Sequence, residues 1–276
     1  MSCSVTPSTA QADRPLVIAL HCSGSSGRQW KPLADYLGER CTVVAPDLIG
    51  CATVGHWSGE TAFSLDDEAR GIIGAIDGWP GPVHLVGHSY GGGVALQIAV
   101  RRPSRVASLS VYEPSAFHLL AAMGPKGTAA LREIKAVASA VQDGMLTGSY
   151  RAAARHFVDY WNGAGAWDRM RPHSQQDVLQ YLPKAVLDFA ALFGGAMDWD
   201  AFRRLDVPTL VLRGETAPRP TARIAEGLRD AARHGRYQVV PGAGHMGPLS
   251  HPELVAKAIG DHILQALTLP SLAAAA

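Results

Sequence analysis

The sequence predicts an α/β fold: a mostly parallel, doubly wound sheet with a helical cap inserted between two of its strands. Three observations carry that prediction. Continuous apolar runs of strand length alternate with helix-like segments over the first 112 residues, the rhythm of strands covered on both faces by crossover helices. From about 115 to 200 only helix-like segments occur, and strand and helix then alternate again. Lastly, Gly87-His88-Ser89-Tyr90-Gly91 stands between an apolar run and a small-residue helical run, where a strand would turn sharply into a helix. The chain thus divides into a core at 1–115 and 201–276 and a cap at 116–200.

In chain order, residues 1–14 are polar and rich in Pro, Ser and Thr, and are expected to be extended. Residues 16–21 form an apolar run of strand length. A small polar loop at 22–27 leads to Trp30, Leu33, Ala34 and Leu37, one face of a helix that Gly38 ends. A second buried strand at 42–45 leads to Pro46-Asp47, with an irregular loop at 50–59. Ser64-Leu65-Asp66-Asp67 reads as a capping box opening a helix to about Asp77, and the Gly- and Pro-rich turn at 78–82 stops it. Residues 83–86 are the strand into the serine turn, 92–101 the helix out of it, and 106–112 the next strand. Within the cap, Gly124-Pro125, Gly144, Gly148, Asn162-Gly163, Pro172, Pro183 and Gly194-Gly195 read as punctuation. A strand at 208–213, an amphipathic helix at 223–233, a strand at 237–240 and a helix at 253–267 complete the core.

Composition narrows the function. At 276 residues, 47% apolar and 18% charged, the chain suits a globular enzyme and not a disordered segment. A net charge of +1 with no basic cluster argues against nucleic acid or an anionic membrane as partner. No apolar run approaches the roughly 20 residues of a membrane span. The start, Met1-Ser2-Cys3-Ser4, lacks a basic stretch followed by an apolar one, and the tail at 272–276 reads as a frayed end. The four cysteines, Cys3, Cys22, Cys41 and Cys51, have neither metal-ligand nor disulfide-framework spacing and read as free thiols in a reducing cytoplasm. Gly24-Ser25-Ser26-Gly27 lacks the Lys-Ser/Thr that would make it a phosphate loop.

The serine turn would lift Ser89 Oγ off its strand and aim the first N–H groups of the next helix at whatever the serine attacks. A serine needs a base, usually a histidine held by a carboxylate. Of eleven histidines His245 is best placed, because Pro241-Gly242-Ala243-Gly244 delivers it from the last strand to the edge where parallel strands end. His21 reads as shaping the loop that follows it, and His84 and His88 as structural. The remaining histidines read as surface residues, with His56 and His118 open to lining a pocket. Most large apolar cap residues must pack the cap itself, while a minority would wall a substrate pocket. His118 and Trp161 are the cap residues singled out for that role, with Trp57 as a further wall from the loop after Asp47.

Ser89 in Gly-His-Ser-Tyr-Gly-Gly, the loop after His21, Pro46-Asp47-Leu48 and Gly-Ala-Gly-His245 together resemble the α/β-hydrolase superfamily. The resemblance implies the α/β-hydrolase fold with Ser89 as nucleophile and His245 as base. It also implies an oxyanion hole from the Tyr90 N–H and the Ser23 N–H, with Cys22 the neighbouring choice for the second donor. The chain departs from the family pattern in a short N-terminus, an atypical loop after Asp47, and Gly214-Glu215-Thr216-Ala217, where alanine stands in the usual place of an aspartate. Two glutamates remain for the acid. Glu113 ends the strand beside that of Ser89, where certain relatives carry theirs, and is favoured; Glu215 lies two residues early in the usual loop and is the alternative.

The expectation is a serine hydrolase of carboxylesterase type, cleaving an ester of a small to medium apolar substrate through an acyl-enzyme. Lactone, thioester, amide or carbon–carbon bond hydrolysis and perhydrolysis remain open on the same residues. A non-catalytic ligand-binding protein on this scaffold is the rival, because of Ala217. No metal or cofactor is expected, the partner is a small molecule, and the expected compartment is the cytoplasm.

Overall fold

The computed structural model describes residues 14–51, 54–59 and 61–268. The expected extended stretch up to Ala12 and Asp13, Cys3, Ala52 and Thr53 of the loop after Asp47, and the tail lie outside the described residues.

Six strands form one parallel sheet: β1 (Leu16–Leu20), β2 (Thr42–Val44), β3 (Val83–His88), β4 (Val106–Tyr112), β5 (Thr209–Gly214) and β6 (Gly235–Val240). Their order is β2-β1-β3-β4-β5-β6. Successive residues of a strand face opposite sides, so each strand feeds two cores. Leu16, Ile18, Leu20, Leu85, Leu109 and Val111 belong to the larger core, and Val17, Ala19, Val86, Tyr112, Leu210 and Leu212 to the smaller. Burial on both faces accounts for the apolar runs of the four inner strands, whereas the edge strand β2, expected to be buried, is half-buried and the opposite edge strand β6 is largely exposed before Val240.

The smaller core is covered by α1 (Lys31–Leu37) and the long final helix (Pro252–Thr268), through Leu33, Leu37, Val255 and Ile259. The larger is covered by α2 (Leu65–Asp77), α3 (Tyr90–Arg101) and a helix at Arg219–Ala231. The Ser64 side chain accepts from the Asp67 N–H while Asp67 returns a bond to the Ser64 N–H, the reciprocal cap the sequence signals.

Between β4 and β5 the chain is helical: a 3-10 turn at Phe117–Ala122, then α4 (Gly124–Leu146), α5 (Tyr150–Asn162), α6 (Ala166–Arg169), α7 (Pro172–Phe193) and α8 (Trp199–Arg203). The helix at Arg219–Ala231 is therefore α9, the short one at Gly247–Ser250 α10, and the final helix α11. Side chains of the inserted helices, among them Ile134, Val141, Leu182 and Phe189, share the larger core with the sheet.

Several boundaries differ from expectation for identifiable reasons. Gly144 lies inside α4, where a Cβ would sit 2.6 Å from Ala153 Cβ, so this glycine serves close packing of α4 on α5. Pro183 lies inside α7, and the burial of Tyr181, Leu182, Lys184 and Ala185 around it outweighs the lost backbone hydrogen bond. The ninth helix starts at Arg219 because Pro220 suits a first turn, where no intrahelical N–H is needed. The helical run after β4 ends at Arg203, a little beyond the expected boundary at 200.

Candidate active site

Register brings the candidate catalytic residues to one edge. His88 at the end of β3 pairs with Tyr112 at the end of β4, so Ser89 and Glu113 leave adjacent strands side by side. The Ser89 N–H donates to the Tyr112 carbonyl at 3.0 Å, and the Glu113 N–H to the Leu212 carbonyl at 2.9 Å. Both residues adopt positive φ, 55° and 41°, a conformation that side-chain-bearing residues keep only when their surroundings enforce it. The glycines flanking Ser89 are required sterically: a Cβ on Gly87 would lie 2.4 Å from the Gly91 carbonyl oxygen, and one on Gly91 2.4 Å from that of His21.

His245 Nε2 lies 2.9 Å from Ser89 Oγ, and its Nδ1 lies 2.7 Å from Glu113 Oε2. All three side chains are buried. Glu113, itself fully buried, also accepts from the Gly214 N–H at 2.9 Å and from Thr221 Oγ1 at 2.8 Å, so both its oxygens have partners. The His245 backbone is held as well, its carbonyl accepting from His88 Nε2 at 2.8 Å. His88 Nδ1 in turn meets Gln29 Nε2 at 3.1 Å, and Gln29 Oε1 accepts the Cys22 N–H at 3.3 Å. Burial pushes the His88 pKa well below its usual value, which keeps the ring neutral and fixes it as a donor to that carbonyl.

A pocket of about 490 Å³, partly continuous with solvent, opens over these residues. Ser89, His245, Ser115, Cys22, Ser23 and Met246 line it from the sheet side. The inserted segment supplies Phe117, Phe157, Trp161, Asn162, Ala185, Asp188, Phe189 and Leu192. The Trp161 ring lies 4.3 Å from the His245 ring, centre to centre, at 34°. Burial pushes the Cys22 thiol up to about 12, so it is a neutral wall. Among the described residues no group of three or more His, Cys, Asp and Glu is arranged to hold a metal ion.

The other sequence-selected residues lie elsewhere. Glu215 is exposed, and its carboxylate accepts from the Gly242 N–H at 2.9 Å on the approach to His245. Trp57 does not reach the pocket: it packs on Phe63 at 5.4 Å between ring centres, with its indole N–H on the Thr61 carbonyl. Neither does His118, whose Nδ1 lies 3.1 Å from the Leu192 carbonyl oxygen beneath Gly195. His21 Nδ1 lies 2.7 Å from the Cys22 carbonyl oxygen at the start of the loop that follows it, and its Nε2 accepts from the Leu48 N–H at 3.0 Å in the loop after β2. Sequence reading missed Thr221 and Gln29, which carry no motif, and Lys184 and Asp188. The last two stand four apart within an apolar helical stretch, a spacing that signals a paired buried charge.

Chemistry gathered at the carboxyl edge of a parallel sheet, around a serine on a strained strand-to-helix turn, defines a class of α/β proteins. The chain belongs, more narrowly, to the alpha/beta hydrolase family, whose model matches residues 17–258. It is similar to lipase LipV of Mycobacterium tuberculosis, 35% identical over 100 residues, 36% of this chain and 37% of the lipase. It is also similar over most of both chains to 2-hydroxymuconate semialdehyde hydrolase of a Pseudomonas species, 26% identical, covering 91% and 87%. A bifunctional biotin biosynthesis protein of Teredinibacter turnerae is 25% identical; the match takes in 46% of its length, so the chain spans less than half of that protein and of the lipase. Among solved structures, a thermophilic esterase from Thermogutta terrifontis superposes with a TM-score of 0.69 at 21% identity, covering 92% of this chain and 91% of the esterase. No helix among the described residues is long and apolar enough to cross a membrane.

Proposed function

We propose that the protein is a serine hydrolase that cleaves carboxylic esters of small to medium apolar substrates. The observation that carries the reading is the unbroken chain from Ser89 Oγ through His245 to Glu113 at the floor of a largely apolar pocket. Ser89 Oγ attacks the ester carbonyl carbon as His245 Nε2 takes its proton, and the carbonyl π pair moves onto oxygen. The tetrahedral intermediate collapses, and the departing alkoxide leaves as the alcohol with the proton from His245. Water then repeats the sequence on the acyl-serine, releasing the acid and restoring Ser89. Glu113 holds the Nδ1–H tautomer and stabilises the imidazolium. A carboxylate at 113 accounts for alanine at 217, the feature that favoured a non-catalytic protein.

The Tyr90 N–H, at the start of α3, and the Ser23 N–H form the oxyanion hole in this reading. Ser23 is preferred over Cys22 because the Cys22 N–H is taken by Gln29. The inserted segment at 116–200 acts as the cap, since eight of the pocket residues come from it. A neutral ester is preferred over a carboxylate-bearing substrate. Among the described lining residues none is Lys or Arg to pair with a substrate carboxylate. Three buried free thiols among the described residues suit a cytoplasmic setting.

The test is labelling with a fluorophosphonate together with turnover of p-nitrophenyl acetate and butyrate. The wild-type chain is expected to label and turn over both esters, and Ser89→Ala to do neither, with a loss of about 10⁴-fold or more. Undiminished turnover in Ser89→Ala would remove the reading. Lactone, amide and carbon–carbon substrates run in parallel rank the rival reactions.

A further inference from the structure

Beside the pocket lies a second buried polar group that the reaction does not use. Lys184, on α7, is 2% exposed, and its ammonium pairs with Asp188 on the same helix and with Glu68 of α2 at 3.2 Å. Its Nζ also sits 4.6 Å above both the Phe63 and Tyr90 ring centres. Burial alone would lower the ammonium's pKa; the two carboxylates reverse that and hold it raised, so the lysine stays charged. Each carboxylate then accepts from further hydroxyls. Ser23 Oγ donates to Asp188 Oδ2 at 2.9 Å, alongside the Tyr181 hydroxyl, and the Tyr90 hydroxyl donates to Glu68 Oε2 at 2.9 Å. The other Glu68 oxygen accepts the Ile49 N–H at 2.8 Å. Burial and the neighbouring carboxylates hold the Tyr90 phenol well above its usual range, so it remains a donor.

The two residues reached in this way, Ser23 and Tyr90, supply the oxyanion hole in the reading proposed above, on which this step rests. They lie on different elements, the loop after β1 and the first turn of α3. We infer that Lys184 is a positioning residue for the oxyanion hole: by joining Asp188 and Glu68 it ties both N–H donors to the inserted helix α7. A developing oxyanion gains only from donors already fixed in place, and small displacements of such groups are costly in rate. The ion cluster supplies that fixity without touching substrate through Lys184 itself.

Ser23→Ala and Tyr90→Phe each remove one tether and leave the backbone N–H intact, whereas Lys184→Met removes the link between them. The three variants, made in the full chain, are assayed for kcat and KM with p-nitrophenyl butyrate. Their inhibition by an alkyl trifluoromethyl ketone is also measured, because its adduct on Ser89 places an oxyanion in the hole. We expect Ser23→Ala and Tyr90→Phe each to lower kcat about tenfold with KM within about twofold, and the ketone to weaken in proportion. In Lys184→Met the loss equals or exceeds both, and adding Ser23→Ala costs nothing further. If Lys184→Met does not fold, the two hydroxyl variants decide the matter alone. A lower melting temperature with unchanged kcat and unchanged ketone affinity would reduce the cluster to packing and overturn the inference. That result, with Ser89→Ala still inactive, leaves the hydrolase reading standing and so separates the two failures.

Discussion

The two walls of the pocket are built on different principles. On the sheet side each reactive group occupies a strand end: Ser89 after β3, Glu113 after β4, and His245 shortly after β6. Their separations are set by backbone register and by positive-φ turns that neighbouring chain enforces. On the helical side the contributions are side chains on helix faces, the rings of Phe157, Trp161 and Phe189 and the carboxylate of Asp188. Their positions depend on how α5 and α7 pack. In the proposed reading the nucleophile, base and acid therefore sit at strand ends of the sheet. Most of the side chains that would meet a substrate in that reading come from the inserted helices, which can vary while the strand ends stay put.

The sharpest way to break that division is at Glu113. Its two oxygens accept from three donors: His245 Nδ1–H, the Gly214 N–H and Thr221 Oγ1. In Glu113→Gln the new amide must turn its NH₂ toward at least one of these, and the histidine loses control of its tautomer. The expected loss in kcat is roughly 10³- to 10⁴-fold. Glu215→Gln, which touches only the loop at Gly242, is expected to stay within about threefold of wild type, the usual scale of an exposed polar change. Steady-state kinetics on the two variants decides between the carboxylates, and the reverse ranking would move the acid off the strand end.

The same division explains what was legible in the sequence. The meeting of Ser89, His245 and Glu113 at one edge was legible because apolar runs locate strand ends and parallel strands all end together, while the preference for Glu113 over Glu215 also leaned on the family resemblance. The sheet, with its strand at each of the six expected places, was readable for the same reason. Trp57 and His118 were read wrongly as pocket walls because a loop or helix does not announce which way its side chains face. Trp161 lines the pocket, but no signal in the sequence favours it over Trp167, which is buried in the larger core. The ion cluster at Lys184 went unread. Its members lie 116 residues apart in Glu68 and Lys184, and only the fold of the inserted segment brings Lys184 of α7 to Glu68 of α2. Gly144 and Pro183 misled because residues that usually end helices are tolerated inside one when packing demands it.

A weaker effect tests the rigidity of the sheet side. His84, on the strand that carries Ser89, is buried against Ser108 Oγ at 2.8 Å. Burial, with His262 nearby, pushes its pKa from 6.5 down to about 4. Between those values the unfolded chain holds a proton that the folded chain does not, so stability falls as pH falls through that window. The expected loss is about 3 kcal/mol between neutral pH and pH 4, before any contribution from the other buried histidines. Urea titrations at pH 7.5 and 4.5 measure it. His84→Gln should flatten the pH dependence, and an unchanged slope would assign acid sensitivity to other groups.

The smallest expected change comes from the helical side. Trp161, half-buried, lines the pocket and lies against the His245 ring, so in the proposed reading its removal can act on substrate or on base. The two effects separate by acyl length. Each methylene buried against the indole is worth about 0.8 kcal/mol, close to fourfold in kcat/KM. If Trp161 serves recognition, Trp161→Ala should lower kcat/KM for p-nitrophenyl butyrate by about tenfold and for the acetate by much less, chiefly through KM. An equal fall for both esters, carried by kcat, would instead mean that the indole shields the imidazole. The boundary between the reacting wall and the recognising wall would then run through α5 and not along the sheet edge.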